Sequence, residues 1–148
     1  MNSTVELIFT VVGAALVLLT LYGAAKLNRK LFLSGVCYFS ILPIIGESMR
    51  YGADKATIHV IVAILYLVQL ILAFPNTIVY GPENTAAAKL ASKVALAILV
   101  INVAGAVFIF CLNSGVPAQF GYYHAVIALA VLYLIIRRVS SNGAVMLR

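Results

Sequence analysis

The sequence predicts an all-α polytopic integral membrane protein, a bundle of five transmembrane helices with its N-terminus outside and its C-terminus inside. Of the 148 residues, 64% are hydrophobic and only 9% are charged, and the mean hydropathy is +1.12. Soluble domains are about half apolar and about a quarter charged, so this chain has too little polar surface for a water-soluble globule. Spans of roughly 20 residues each would use the whole length. We therefore expect one transmembrane helical domain over residues 1–148.

The expected spans follow from five apolar runs separated by short polar connections. The first run begins after four uncharged residues and ends at a basic cluster, whereas a signal peptide carries its positive charge ahead of the apolar run. The second contains Pro43, which lacks a backbone donor, so a kink is expected there. The fourth is longer than the hydrocarbon core, so Lys89 and Lys93 near its start are expected to reach the interface. The predicted spans are about residues 5–27, 31–51, 57–80, 85–113 and 120–136.

The distribution of the ten Lys and Arg residues predicts the orientation. With five spans and the N-terminus outside, only Arg50 and Lys55 fall on the outer side. Cytoplasmic connections carry an excess of Lys and Arg, so this division favours the inner side for the remaining basic residues. If the segment around Pro43 were re-entrant, four spans would remain and the ten charges would divide equally, which would remove the bias. The residues expected inside are Lys26, Arg29, Lys30, Lys89, Lys93, Arg137, Arg138 and Arg148.

Small and polar residues at helical spacing mark faces that are expected to pack against protein, since helices in lipid gain little from apolar contact with one another. The third helix gathers nearly all its polar atoms on one side, which lipid cannot satisfy, so that side is expected to face inward or toward a partner. The face of the first helix consists of Thr10, Gly13, Val17, Thr20 and Ala24. That of the third consists of His59, Val62, Tyr66, Gln69, Ala73 and Asn76. That of the fourth consists of Ala88, Ala91, Ala95, Asn102 and Gly105.

Ionisable residues inside a span are costly and are therefore often functional. Glu47 is the acid with apolar helix on both sides, and Arg50 follows it at a spacing of three residues. Five spans bring these two residues and His59 to the outer side, with Gln69 and Asn102 deeper in the core. We expect a polar cluster, or a transport path, formed by Glu47, Arg50, His59, Gln69 and Asn102. The ordinary alternative is that these side chains are interfacial residues and hydrogen-bond partners between helices.

His59 and His124 are the candidate cofactor-binding residues, because five spans place both histidines of the chain on the outer side. Two imidazoles can ligate the iron of a b-type haem, but both positions are at predicted helix ends, where a porphyrin would be half exposed to water. A quinone would instead use a histidine as proton partner and Arg50 as anchor. No metal site is expected, since no close His-x-x-x-His spacing occurs. We expect no bound cofactor, with haem b and quinone as the two alternatives.

The predicted function is that of a non-catalytic accessory or structural subunit of a larger membrane protein complex. Its partners would be other membrane protein subunits or further copies of the chain, because five short helices offer little interior to cover all the packing faces. Two alternatives stay open. One is a small transporter or channel with a polar path through Glu47, His59 and Gln69, and the other is a haem- or quinone-binding redox subunit that uses His59 and His124.

Soluble enzymes and nucleic-acid-binding proteins are the classes that the sequence disfavours. It contains no glycine-rich phosphate loop, no Gly-x-Ser-x-Gly elbow and no Cys-x-x-Cys pair, so we expect no catalytic residue. The net charge is +6, but the cations lie mostly between apolar runs, where topology signals and contacts with lipid head groups are found. The expected partner is therefore the lipid bilayer rather than nucleic acid, and the expected location is a bacterial or archaeal plasma membrane.

Overall fold

The structure, a computed structural model, describes residues 3–74, 85–112 and 114–140, with the side chains of 3–74, 91–112 and 114–137. All regular structure in these residues is helical, which confirms the all-α prediction. The helices are α1 (Ser3–Ala25), α2 (Arg29–Asp54), α3 (Thr57–Ala73), α4 (Thr85–Cys111) and α5 (Ala118–Ser140).

Four of these helices are long and apolar enough to cross a membrane, so the chain is a multi-pass membrane protein. The remaining helix, α3, is strongly apolar but has only 17 residues, which give about 25 Å of helix against a hydrocarbon core of about 30 Å. The predicted third span continues to residue 80, but residues 75–80 lie outside the described part of the chain. α2 is one continuous helix through Pro43, and the expected kink at that residue stays a prediction.

The helices form a closed ring in which each helix packs against the next and α5 returns to α1. Successive helices are antiparallel. Between α2 and α3, for example, Glu47 contacts His59 near one end of the pair, and Ser40 contacts Gln69 further along. Between α1 and α2, and between α2 and α3, this alternation follows from the short connections, which leave each helix beside the one before it.

The first and last helices of the ring run in the same direction, as an odd number of alternating helices requires. Glu6 contacts Gln119, and the Thr10 carbonyl one turn later accepts a hydrogen bond from the Tyr123 hydroxyl at 3.0 Å. We call the end that holds the start of α1 and the connecting residues 55–56 and 114–117 the upper end, and the opposite end the lower end. α1 therefore begins at the upper end and α5 finishes at the lower end.

The described cationic residues are divided unevenly between the two ends. Arg50 and Lys55 lie at the upper end, around the point where α2 stops. By their positions on the helices and in the α1–α2 connection, the residues toward the lower end are Lys26, Arg29, Lys30, Lys93 and Arg137. The side chains of Lys89, Arg138 and Arg148, which the sequence predicts on the same side, lie outside the described part.

The connection between α1 and α2 is a tight turn closed by backbone hydrogen bonds. Leu27 adopts a left-handed conformation with φ of 52°. The N–H groups of Asn28 and Leu27 bond the carbonyls of Gly23 and Ala24 at 2.8 and 3.1 Å, which is the Schellman arrangement of helix C-termini. Asn28 then caps α2, since its side chain accepts from the Leu31 N–H at 3.0 Å.

Small residues let α1 and α2 approach each other closely. Gly35 lies against Thr20, so near that a Cβ at residue 35 would overlap the Thr20 hydroxyl and lie 2.8 Å from its backbone nitrogen. Thr20 is fully buried, and its hydroxyl donates to the Leu16 carbonyl at 2.9 Å. On the same side of α1, Gly13 faces the Tyr123 ring of α5. The small-residue face predicted on α1 is therefore covered by helices of the same chain.

The lower half of the ring is filled with apolar side chains from α1, α2, α4 and α5. Lipid is as apolar as these side chains, so close packing rather than exclusion from water holds this half together. Prominent buried members of this core are Val17, Phe32, Val36, Ile98, Ile127 and Val131.

Candidate functional site

The upper half of the ring encloses a cavity of about 510 Å³, to which all five helices contribute. Its wall is mainly apolar, with Phe39, Val62 and Phe108 among its side chains. Sites for small molecules are typically about 300–1,000 Å³ in volume and mostly apolar, with a few placed polar groups. Here the titratable or charged side chains on the wall are Glu6, Glu47, Arg50, Tyr66 and His124.

A row of buried hydrogen bonds at the base of the cavity joins α2, α3, α4 and α5. Ser40 Oγ accepts from Gln69 Nε2 at 3.0 Å, and Gln69 Oε1 accepts from Asn102 Nδ2 at 2.7 Å. Asn102 Oδ1 then lies 3.0 Å from Nδ1 of His124. The Tyr66 hydroxyl lies 3.1 Å from the other ring nitrogen, Nε2, and 3.4 Å from Nδ1. All five side chains are buried, and we call them the inner network.

A backbone carbonyl fixes the direction of the inner network. Asn102 Nδ2 lies 2.8 Å from the Ile98 carbonyl, which can only accept, so the amide nitrogen must be on that side. Asn102 consequently presents its oxygen to His124, whose Nδ1 must donate. The other nitrogen, Nε2, is left to accept from the Tyr66 hydroxyl. The hydrogen bonds thus assign His124 as a neutral imidazole with its proton on Nδ1.

His124 is held between two aromatic rings. The Phe39 ring meets it edge-on, with centroids 5.1 Å apart and planes at 81°, and the Tyr66 ring stacks on it at 5.2 Å and 29°. Gly105 leaves the space for this arrangement, because a Cβ there would overlap the Tyr66 hydroxyl and lie 3.1 Å from Cγ of His124. A residue with any side chain at position 105 would therefore separate Tyr66 from His124.

A second group of polar side chains lies at the upper end of α2 and α3. Glu47 Oε2 is 2.5 Å from Nδ1 of His59, and Asp54 Oδ2 is 3.0 Å from its Nε2. Arg50 Nη1 is 3.5 Å from Glu47 Oε1. Ionised carboxylates only accept hydrogen bonds, so a histidine between two of them donates from both nitrogens and is positively charged. We call these four residues the upper network, in which two positive and two negative charges balance.

Arg50 connects the upper network to the segment that precedes α5. Its Nη2 donates to the Ser114 carbonyl. Gly115 adopts a positive φ of 66°, which favours glycine, and a Cβ there would lie 3.1 Å from Nη2 of Arg50. The other guanidinium nitrogen, Nη1, is buried and has no hydrogen-bond partner among the described residues. Nη1 has the Glu47 carboxylate as an ion-pair partner at 3.5 Å, and because a buried donor is costly when it makes no hydrogen bond, it is suited to a ligand that carries an acceptor.

The polar path predicted from the sequence is divided between the two networks. Glu47, Arg50 and His59 belong to the upper network, and Gln69 and Asn102 to the inner network. No hydrogen bond between described residues joins the networks, but both contribute to the cavity wall. Below the inner network the described interior is mainly apolar, although Thr20 is buried there with its hydroxyl bonded to the Leu16 carbonyl. Asn76, further along the predicted face of α3, lies outside the described residues.

The two histidines occupy different depths and different surroundings. His59 lies at the start of α3, as expected, whereas His124 lies well inside α5, which begins at Ala118. The expectation that both histidines lie at helix ends is thereby corrected for His124. Each ring has both nitrogens engaged, His59 by carboxylates and His124 by an amide and a hydroxyl. A shared haem iron would need both rings to give up these partners, so the geometry lends haem ligation no support.

Sequence reasoning did not select several side chains that position the site. Tyr66 had a detectable signal, since it shares the polar face of α3 with His59 and Gln69. Gly105 was predicted on the packed face of the fourth helix, but neither its contacts with Tyr66 and His124 nor the bond between Asp54 and His59 could be derived from spacing, because both depend on which side chains meet in the fold.

Comparison with known proteins yields no relative: no family model, curated protein or solved structure matches the chain. What the site does must therefore be argued from its own chemistry.

Proposed function

We propose that the chain is a ligand-binding membrane protein whose cavity takes the head group of a small amphipathic molecule with carbonyl or hydroxyl groups, a quinone being the class that fits best. The observation that carries the proposal is the mainly apolar cavity of about 510 Å³ with polar groups of both networks on its wall. A quinone ring is flat and largely apolar and carries polar oxygens, so it needs this combination of surfaces.

The hydrogen-bonding groups around the cavity support this ligand class. Arg50 Nη1 is buried and, besides its ion pair with Glu47, makes no hydrogen bond with a described residue, so it can donate to a carbonyl oxygen. Glu47 offers a carboxylate oxygen, and the Tyr66 hydroxyl, which donates its proton to His124, can still accept. A carbonyl is therefore recognised by Arg50, and a hydroxyl by Glu47 or Tyr66.

The packing of the ring supports a route from the lipid into the cavity. α3 and α4 pack together least closely of the neighbouring helices. The Gln69–Asn102 hydrogen bond joins them at the level of the inner network, and above it Val62 and Phe108 line the cavity. Under this proposal a molecule dissolved in the membrane would enter laterally between α3 and α4.

Photo-crosslinking with an azido derivative of a short-chain ubiquinone tests the proposal on the protein in lipid nanodiscs. We expect the label on the cavity-lining segments 42–50, 62–66 and 104–112. Unlabelled decylubiquinone should compete for the site, whereas a decyl chain without a quinone ring should not.

A pair of substitutions on α3 provides the control. Val62→Trp fills the cavity and is expected to abolish most of the labelling. Val60→Trp adds the same ring on the exposed side of the same helix and is expected to label like the unaltered protein. Labelling that is spread over exposed positions, or that persists in Val62→Trp, overturns the proposal.

For topology, our proposal is that all five helices cross a bacterial or archaeal plasma membrane, with the N-terminus outside and the C-terminus inside. Support comes from the ring, in which α1 begins at one end and α5 finishes at the other. The described cations gather toward the lower end, which the positive-inside rule assigns to the cytoplasm.

The role of a non-catalytic subunit in a larger complex stays a prediction with less support than ligand binding. That prediction was based on helix faces that were expected to pack against other subunits. Three residues of those faces, Gly13, Thr20 and Gly105, instead contact helices of the same chain. A transport path through Glu47 and Gln69 likewise has less support, since the described interior below the inner network is mainly apolar and holds no buried charged side chain.

A further inference from the structure

Three hydrogen-bonded side chains connect the surface of the upper end with the cavity wall. The Asp54 side chain is 56% exposed, whereas those of His59 and Glu47 are 5% and 7% exposed. Glu47 lines the cavity, and His59 contacts each acid through a different ring nitrogen. The three side chains thus place one acid at the surface, the other at the cavity wall, and the histidine between them.

We infer that Asp54, His59 and Glu47 form a proton relay between the surface of the upper end and the cavity. In the resting arrangement His59 carries a proton on each nitrogen. Transfer of the Nδ1 proton to Glu47 Oε2 leaves a neutral acid at the cavity wall and a neutral imidazole. A half-turn of the ring then brings its bare nitrogen to Asp54, where a proton taken from the surface restores the imidazolium. One cycle moves one proton inward, and the reverse cycle moves one outward.

Neighbouring groups determine which oxygen of each acid faces His59. Asp54 Oδ1 accepts from the Ala56 N–H at 2.8 Å, which leaves Oδ2 directed at His59. Arg50 lies beside Glu47 Oε1, so the carboxylate oxygen that faces His59 is Oε2. The other titratable or charged groups on the same cavity wall are Glu6, Arg50, Tyr66 and His124.

This inference rests on the proposed function only for the recipient of the proton, a molecule bound in the cavity. Its test needs no ligand, so failure of the relay and failure of quinone binding are separate results. A laser flash releases protons from a caged donor in the water around the protein in nanodiscs, and time-resolved infrared spectroscopy follows the carboxyl band of Glu47. Glu47→Gln removes that band and so identifies it.

Asp54→Asn keeps an oxygen for the Ala56 N–H but cannot carry a proton. We expect it to slow the protonation of Glu47 by roughly 100-fold, the low end of what a positioned proton-transfer group contributes, with little change in the final amplitude. His59→Ala should slow it similarly, and free imidazole in the buffer should restore the rate. Ser48→Ala changes an exposed side chain next to Glu47 and should leave the rate unchanged.

Two results would overturn the relay. One is an unchanged rate of Glu47 protonation in both Asp54→Asn and His59→Ala. The other is a Glu47 band in the unaltered protein that does not respond to proton release at all. Asp54 is exposed, so its substitution tests the inference even if His59→Ala fails to fold.

Discussion

The two histidines differ in protonation because different groups face their ring nitrogens. His59 lies between two carboxylates, which hydrogen-bond the charged ring on both sides. His124 meets the amide oxygen of Asn102 and the hydroxyl of Tyr66, which together suit a neutral ring. The cavity thus has a protonated group, His59, behind one wall and a neutral imidazole with a hydrogen-bond acceptor, His124, at its base. A ligand that gains or loses a proton would find both functions within one site.

The inner network should behave as one energetic unit. Asn102→Leu leaves Gln69 Oε1 and the Nδ1–H of His124 without partners, at about 1–3 kcal/mol for each unpaired group. Gln69→Leu costs less, because Asn102 keeps the Ile98 carbonyl. In the double variant only the Nδ1–H is left unpaired, so we expect a smaller loss than the sum of the two single losses. Thermal unfolding in detergent measures all three, and simple additivity would contradict a continuous network.

Gly105 tests whether the contact between Tyr66 and His124 depends on the missing side chain. Gly105→Ala places a methyl group against both residues, and overpacking of this kind costs about 1–3 kcal/mol. We expect a lower unfolding temperature and loss of quinone labelling. Gly52→Ala is the control, since its Cβ would meet nothing within 4 Å. It should leave stability unchanged or raise it by under about 1 kcal/mol, and equal losses in both variants would contradict the account.

For single residues, the sequence predicts which of them lie on one face of a helix more readily than which residues of other helices they contact. The polar face of α3 was predictable because residues three and four apart share a helix face, and His59, Tyr66 and Gln69 are all buried. Their partners lie on α2, α4 and α5. Which residues meet there depends on the rotation and depth of each helix, and a single sequence does not determine either quantity.

Among the elements, α2 contributes to every part of the site. Glu47 and Arg50 lie on its upper turns, Ser40 anchors the inner network lower down, and Gly35 packs against α1. Pro43 lies on the cavity wall between these levels and lacks the N–H that would continue the helical hydrogen bonds. Displacement of α2 should therefore disturb both networks at once.

The close approach of α1 and α2 can be tested at Gly35. A methyl group there would meet the backbone of Thr20, which cannot rotate away, so Gly35→Ala should destabilise the fold by about 1–3 kcal/mol. Gly46→Ala on the same helix is the control, because its Cβ would be 3.6 Å from the Phe9 ring, an ordinary contact. If both substitutions lowered the unfolding temperature equally, the stability of the fold would not depend on the close approach of α1 and α2 at Gly35.

Helix existence was predictable from the apolar runs, whereas helix ends were not. α2 continues to Asp54, beyond the predicted residue 51, because a left-handed Lys55 closes it with an N–H bond to the Tyr51 carbonyl. α5 begins at Ala118 rather than near residue 120, and so places His124 deeper than expected. Hydropathy reports which residues suit lipid, but the capping geometry of the backbone sets the first and last turns.

For the whole molecule, ring closure gives the topology its physical basis. Five alternating helices put α1 beside α5 in parallel, and the Tyr123 to Thr10 hydrogen bond lies at that seam. The cavity is the space that remains where side chains of five helices converge. Its volume depends on the packing of all of them at once, so no stretch of sequence could have revealed it.

Labelling of single cysteines can test the five-span topology. In a chain with Cys37 and Cys111 replaced by Ala, a membrane-impermeant maleimide is applied to sealed vesicles of known orientation. We expect Ala25→Cys and Ser140→Cys to react from the cytoplasmic side, and Ala56→Cys from the opposite side. If residue 56 reacted from the same side as residue 25, α2 would not cross the membrane and the proposed topology would be wrong.

The most direct test of the two-network site is the nitrogen NMR spectrum of protein labelled with heavy nitrogen at histidine only. The chain has two histidines, so the spectrum contains two rings, and His59→Asn assigns them. At neutral pH the account predicts a doubly protonated ring for His59 and a neutral ring protonated on Nδ1 for His124. Two rings in the same state, or a proton on Nε2 of His124, would contradict it.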